Sequence, residues 1–310
     1  PCRKRRKPNS SRAVKRFRKR PGRSRNMTTD LAILGGTPAF ASPLHVGTPN
    51  VGNRAALMTR IEDALDRRWL TNNGPFVQEF ETRIAEKVRV RNCIAVANAT
   101  VGLELAIRAL GMAGEVIAPS FTFIATVHAL QWNGIRVVFG DIDPSTHNLD
   151  PGHVAKLITP QTTGILATHV WGRPCDITPL QDLADRHGLK LLFDAAHAFG
   201  CSSESQPIGG FGHAEVFSFH ATKFVNCAEG GAITTNDDEL AKQLRFMRNF
   251  GFADYDRVER LGTNGKMSEL SAAMGLTSLD AMDEFIAINR RHHAQYRQRL
   301  ASIRGISLVS

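Results

Sequence analysis

The sequence predicts an α/β fold of three layers, a mostly parallel central sheet between helices. Two observations carry that expectation. Short apolar runs at 115–118, 136–139, 163–167 and 190–193 alternate with stretches of helical periodicity, and a strand–helix alternation argues for parallel pairing. Those runs are nearly continuous in Val, Ile, Leu and Phe, as strands covered on both faces are. A chain of 310 residues, 42% hydrophobic and 22% charged, can bury a large core and has ordinary globular composition.

The elements follow in order. Between 97 and 111, Leu103, Ile107 and Leu110 recur at helical spacing, Gly111 is a stop signal, and Asn98 or Thr100 can cap the start. The apolar run 189–193 reads as a buried strand with Asp194 at its carboxyl end, which faces the ligand crevice in open α/β sheets. Residues 216–219 read as another strand, placing Ser218, His220 and Lys223 along the same crevice. The paired Gly230 and Gly231 suit a tight turn into a further strand. Residues 279–303 are expected to form one long helix, and 306–309 to begin a strand. Residues 50–250 would form the large domain. The sequence has no internal repeat and no low-complexity stretch outside its N-terminal tail.

Three of these pieces complement one another chemically. A strand-end carboxylate at Asp194 suits a charge-assisted hydrogen bond to a protonated pyridinium nitrogen. Lys223 supplies an amine for a Schiff base. The helix start at 98–100 offers backbone donors to a phosphate. Together they point to pyridoxal phosphate.

The landmarks around these pieces include 31–38 (Leu-Ala-Ile-Leu-Gly-Gly-Thr-Pro), 69–75 (Trp-Leu-Thr-Asn-Asn-Gly-Pro), 119–126 (Pro-Ser-Phe-Thr-Phe-Ile-Ala-Thr), 141–143 (Asp-Ile-Asp) and 264–270 (Asn-Gly-Lys-Met-Ser-Glu-Leu). In this order the chain resembles the DegT/StrS sugar aminotransferases of the aspartate aminotransferase superfamily, from about Leu31 onward. The resemblance implies a fold type I pyridoxal phosphate transferase. It makes Lys223 the Schiff-base lysine and proton carrier, pairs Asp194 with the ring nitrogen and puts His197 near the phenolic oxygen. Ala99, Thr100 and Ser218 would hold the phosphate, and Phe123 would lie against the ring. Lys266 would reach toward the cofactor phosphate of a neighbouring subunit, so a homodimer with shared sites is expected.

The implied reaction is ping-pong transamination from an amino acid, glutamate in this family, to a nucleotide-linked keto sugar. Residues 221–231 and 262–269 are most similar to enzymes aminating the 4-keto group of a 6-deoxyhexose; amination at C3 or of a keto-inositol stays open. Thr71, Asn73, His169, Trp171 and Glu229 are the expected substrate contacts. A related dehydratase carries histidine in place of the lysine, so Lys223 argues for the aminotransferase. The remaining alternatives are a catalytically silent or regulatory homologue and a nucleic-acid-binding protein acting through the tail.

Charge bears on that last alternative. The formal charge is +10, but residues 1–26 hold 13 Lys or Arg and no acid, which leaves −3 for the rest. The basicity is a tail without apolar periodicity, expected to be disordered. Such an arm can bind nucleic acid or an anionic surface, but the expected natural start is Met27, with residues 1–26 upstream translated or vector sequence. Asp30, Gly35, Gly36 and Pro38 interrupt 31–34 too soon for a signal peptide. Five scattered cysteines without metal-ligand spacing, and no apolar run near the roughly 20 residues a bilayer needs, fit a reduced cytoplasmic protein with no membrane partner and no metal. The expected organisation is a tail over 1–26, a large cofactor domain over 27–255 and the start of a small C-terminal domain over 256–310, which looks incomplete because family members continue further.

Overall fold

The computed structural model describes residues 31–45 and 47–309. The basic tail and the expected start at Met27 lie outside the described residues. The chain divides into two compact units between residues 46 and 47. Residues 31–45 carry one 3-10 turn, Ala32–Leu34; the elements below belong to the second unit.

In chain order these are α1 (Arg54–Arg67), α2 (Pro75–Val88), β1 (Asn92–Val96), α3 (Ala99–Ala109), β2 (Glu115–Pro119), α4 (Ile124–Trp132), β3 (Arg136–Gly140) and α5 (Pro151–Leu157). There follow β4 (Thr162–Thr168), α6 (Ile177–His187), β5 (Lys190–Asp194), the small ribbon β6 (Ser202–Ser203) and β7 (Gln206–Pro207), and β8 (Ala214–Ser218). The remainder are β9 (Gly231–Thr235), α7 (Asp238–Met247), a second ribbon β10 (Phe252–Asp254) and β11 (Arg257–Val258), α8 (Glu269–Asp280) and α9 (Met282–Leu300).

Seven strands make the central sheet in the order β1-β9-β8-β5-β4-β2-β3. Strands β3, β2, β4, β5 and β8 pair in parallel. β9 pairs antiparallel with both β8 and β1. The sheet is mostly parallel, as the apolar runs indicate.

Alternation along each strand sends its side chains to two cores. Leu166, Leu192, Val216 and Ile233 pack with Leu103 and Ile107 of α3, Leu130 of α4 and Leu244 of α7. Ile165, Leu191, Phe193 and Phe217 pack on the other face with Phe80 and Ile84 of α2, Leu180 of α6 and Leu276 of α8. Two apolar faces on every strand explain why the runs read as continuous. The result is three layers, α/β/α.

Three local expectations are corrected. The helix expected from Leu279 is two: α8 ends at Asp280, Ala281 leaves helical geometry at φ −94°, ψ 4°, and α9 starts at Met282. Residues 306–309 form no strand. Gly231 serves close approach rather than a turn, since a Cβ there would stand 2.6 Å from the amide nitrogen of Ala99. α8, assigned by sequence to the second domain, inserts Ala272, Ala273 and Leu276 into the same core as α2. Among the described residues no helix is long and apolar enough to cross a membrane.

Candidate active site

The crevice lies where the parallel strands end. β5 runs between β4 and β8 with Asp194 opposite Thr168 on one side and Val216 on the other. Asp194 is 4% exposed, and a buried carboxylate needs partners. Its Oδ1 accepts from the Ala196 amide at 3.0 Å and its Oδ2 from the Thr126 hydroxyl at 2.7 Å.

β8 delivers the lysine. After Ser218 the chain makes a loop closed by Phe219 N to Gly230 O (2.9 Å) and Cys227 N to Phe219 O (2.8 Å), with Lys223 N donating to His220 O at 2.9 Å. Buried Asn226 anchors this loop by donating through its backbone N–H to the Ser278 hydroxyl oxygen at 3.1 Å and through Nδ2 to Asn50 O at 2.8 Å. Burial lowers the Lys223 amine below the ordinary lysine value, and the Asp194 carboxylate partly opposes that. Burial also lowers His197, helped by the Lys223 charge and opposed by Asp194. Both groups therefore stay neutral to lower pH than usual.

α3 supplies the third side. The Asn98 side chain accepts from Val101 N at 3.0 Å, so Asn98 rather than Thr100 is the cap. The first-turn amides of Ala99 and Thr100 have no partner within the helix. One cavity of about 700 Å³ brings together Ala99, Thr100, Phe123, Asp194, His197, Ser218, Lys223 and Glu229. Phe123 is 74% exposed at its rim. His220 also lines it, 3.5 Å from Glu229 and 3.0 Å from the Thr222 hydroxyl.

Trp171 stands at an adjoining cavity of about 290 Å³ shared with Phe121, Phe123, Asp194 and His197. It adopts a left-handed conformation, φ 55°, and packs edge-on to Phe121 and His147 at 5.7 and 5.3 Å. Buried Asn148 holds that turn, accepting from Val170 N and donating to the carbonyls of Arg173 and Pro174.

Four expected residues, His169, Thr71, Asn73 and Lys266, lie elsewhere. His169 is corrected: it is fully buried, 3.3 Å from Glu215, stacked on Phe193 at 4.8 Å, and accepts from Cys175 N, so it cannot touch a substrate. Thr71 is exposed in the turn before α2. Asn73 accepts from Arg248 and, with Lys266, Arg245 and Arg248, lines a separate cavity of about 220 Å³. There the Lys266 ammonium donates to Asn264 at 2.7 Å and lies 4.6 Å over the Phe250 ring.

Sequence reasoning missed Thr126, Thr122 and Thr168, the hydroxyls beneath Asp194. A faint signal existed, since Thr122 and Thr126 are four apart and Thr168 ends an apolar run.

A profile of the DegT/DnrJ/EryC1/StrS aminotransferase family matches residues 53–310. The chain is 40% identical over 267 residues to the dTDP-4-amino-4,6-dideoxy-D-glucose transaminase of Shigella dysenteriae, covering 86% of this chain and 73% of that protein. It is 38% identical over 245 residues to the GDP-perosamine synthase of Caulobacter vibrioides, covering 78% and 66%. Among solved structures, DesI, crystallised in the presence of its TDP-sugar product, superimposes with a TM-score of 0.87 at 54% identity, covering 91% of this chain and 72% of DesI.

Proposed function

The chain belongs to the DegT/DnrJ/EryC1/StrS aminotransferase family, and on that premise we propose that it is a pyridoxal phosphate-dependent sugar-nucleotide aminotransferase. The substrates are a nucleotide-linked 4-keto-6-deoxyhexose and an amino donor, L-glutamate. The carrying observation is that Lys223, Asp194 and the start of α3 meet in one cavity.

The residues fit that cofactor. A buried carboxylate with both oxygens already oriented suits a cationic ring nitrogen. The unpartnered amides of Ala99 and Thr100, with the Ser218 hydroxyl, suit a phosphate. When bound, pyridoxal phosphate supplies an aldehyde that takes up the amino group and a ring that accepts electrons. Phe123 shields one side of the site from water, and His197 stands by as a neutral imidazole. Lys223 Nζ takes a proton from the donor's α-carbon and returns one at the sugar carbon. It needs a neutral amine for this, and burial favours that form. Glu229 and Trp171 hold the sugar.

The C4 assignment is supported by the names of the relatives, the first of which carries its amino group at C4 of a 4,6-dideoxyglucose. A cytoplasmic homodimer is part of the proposal, with Lys266 serving the partner's phosphate. The test is to incubate purified protein with pyridoxal phosphate, glutamate and a panel of nucleotide-linked keto sugars. The expected result is a long-wavelength absorbance that glutamate bleaches, and a 4-amino sugar product. A colourless protein that ignores the cofactor would sink the reading.

A further inference from the structure

Beneath Asp194 lies a directed chain of hydroxyls. Thr126, fully buried in the first turn of α4, places Oγ1 2.7 Å from Asp194 Oδ2 and 2.7 Å from Thr122 Oγ1. Thr122 Oγ1 in turn lies 3.1 Å from Thr168 Oγ1 at the end of β4. An ionised carboxylate only accepts, so Thr126 gives Asp194 its single hydroxyl proton. Its oxygen then accepts from Thr122, and Thr122, its own proton committed, accepts from Thr168. The direction of every bond is thereby set, and each bond polarises the next.

The other carboxylate oxygen accepts from Ala196 N at 3.0 Å. With one bond on each oxygen, from two different segments, the Asp194 rotamer is fixed. A carboxylate has about four lone-pair sites, so each oxygen keeps one for a cation in the cavity.

We propose that Thr126 is a positioning residue: oriented by Thr122 and Thr168, its hydroxyl holds Asp194 so that the protein grips a protonated pyridine nitrogen. The inference rests on the cofactor reading above. A merely structural threonine would matter equally for any ligand of the same shape, whereas a threonine acting through Asp194 matters only when the ligand carries the ring nitrogen.

The experiment measures, by titration calorimetry on the cofactor-free full chain, binding of pyridoxal 5′-phosphate and of its 1-deaza analogue, in which a C–H replaces the ring nitrogen. Thr126→Val, which keeps the shape and removes the hydroxyl, should weaken pyridoxal phosphate about tenfold and leave the analogue within about twofold, the scale of one hydrogen bond to a charged group. Thr126→Ser should restore wild-type affinity. Equal losses for both ligands, or no loss for either, overturn the proposal. Should Thr126→Val fail to fold, Thr122→Val carries the test, with a loss of about threefold confined to pyridoxal phosphate; an equal loss for the analogue overturns it. A wild-type protein that binds neither compound overturns the cofactor reading first, and this proposal with it.

Discussion

Two lysines sit in two cavities, and the difference between them is instructive. Lys223 shares its cavity with a buried carboxylate, a helix start and an aromatic rim, all from one chain. Lys266 shares its cavity with Arg245, Arg248 and Asn73, a set of cations and an amide without a carboxylate for a cationic ring. Burial lowers both amines, but the next influence differs: Asp194 raises Lys223, and Arg248 lowers Lys266 further. The first cavity is a set of complementary chemistries, whereas the second gathers three cations beside asparagine amides. A lysine's role is therefore legible from its neighbours, not from the lysine.

The largest expected effect breaks the first cavity alone. Lys223→Ala should lower transamination by about 10³-fold or more and remove the long-wavelength absorbance, while Lys266→Ala keeps the absorbance; a Lys223→Ala protein with normal turnover would refute the assignment. Next, Asp194→Asn should cost about 10- to 100-fold in cofactor affinity, the worth of a charge-assisted hydrogen bond.

Lys266→Met should weaken cofactor binding by about tenfold or less, as loss of one exposed charge contact does. Mixing Lys266→Met with Lys223→Ala chains sharpens the comparison. If Lys266 serves the partner, the mixed dimer regains one intact site and its affinity returns to wild type; no recovery means that Lys266 acts within its own chain.

The pH test has a definite sign. The Lys223 amine has a folded value below the ordinary 10.5, so the folded state resists protonation. The cofactor-free protein therefore loses stability as pH falls from that ordinary value through the folded one. Competitive acylation should place the Lys223 midpoint below 10.5, and Asp194→Asn should move it lower still, because the removed carboxylate was raising it. An upward move would show that Asp194 is not the influential partner.

The smallest effect concerns the start of α2, whose Val77 lines the second cavity. Glu269, 1% exposed, accepts from Phe76 N at 2.8 Å and Val77 N at 3.0 Å, capping α2 from a distant segment. Glu269→Gln should destabilise the fold by about 1–2 kcal/mol, read by thermal unfolding, with the Lys223 midpoint unchanged.

Sequence alone determined what depends on nearest neighbours along the chain. Apolar runs marked the strands because each strand feeds two cores, and Asp194 fell at a strand end because Leu191 to Phe193 precede it. Asn98 and Thr100 were both legible as caps, although only backbone geometry chose Asn98. Tertiary structure decided whatever depends on which strands lie side by side. His169 and Trp171 are two residues apart, yet the first stacks inward on Phe193 and the second stands at the cleft. The hydroxyl chain joins residues 122, 126, 168 and 194, which meet only because β5 pairs with β4 and α4 packs beside them. Hydrogen-bond direction and burial are properties of that assembly, and no local pattern in the chain encodes them.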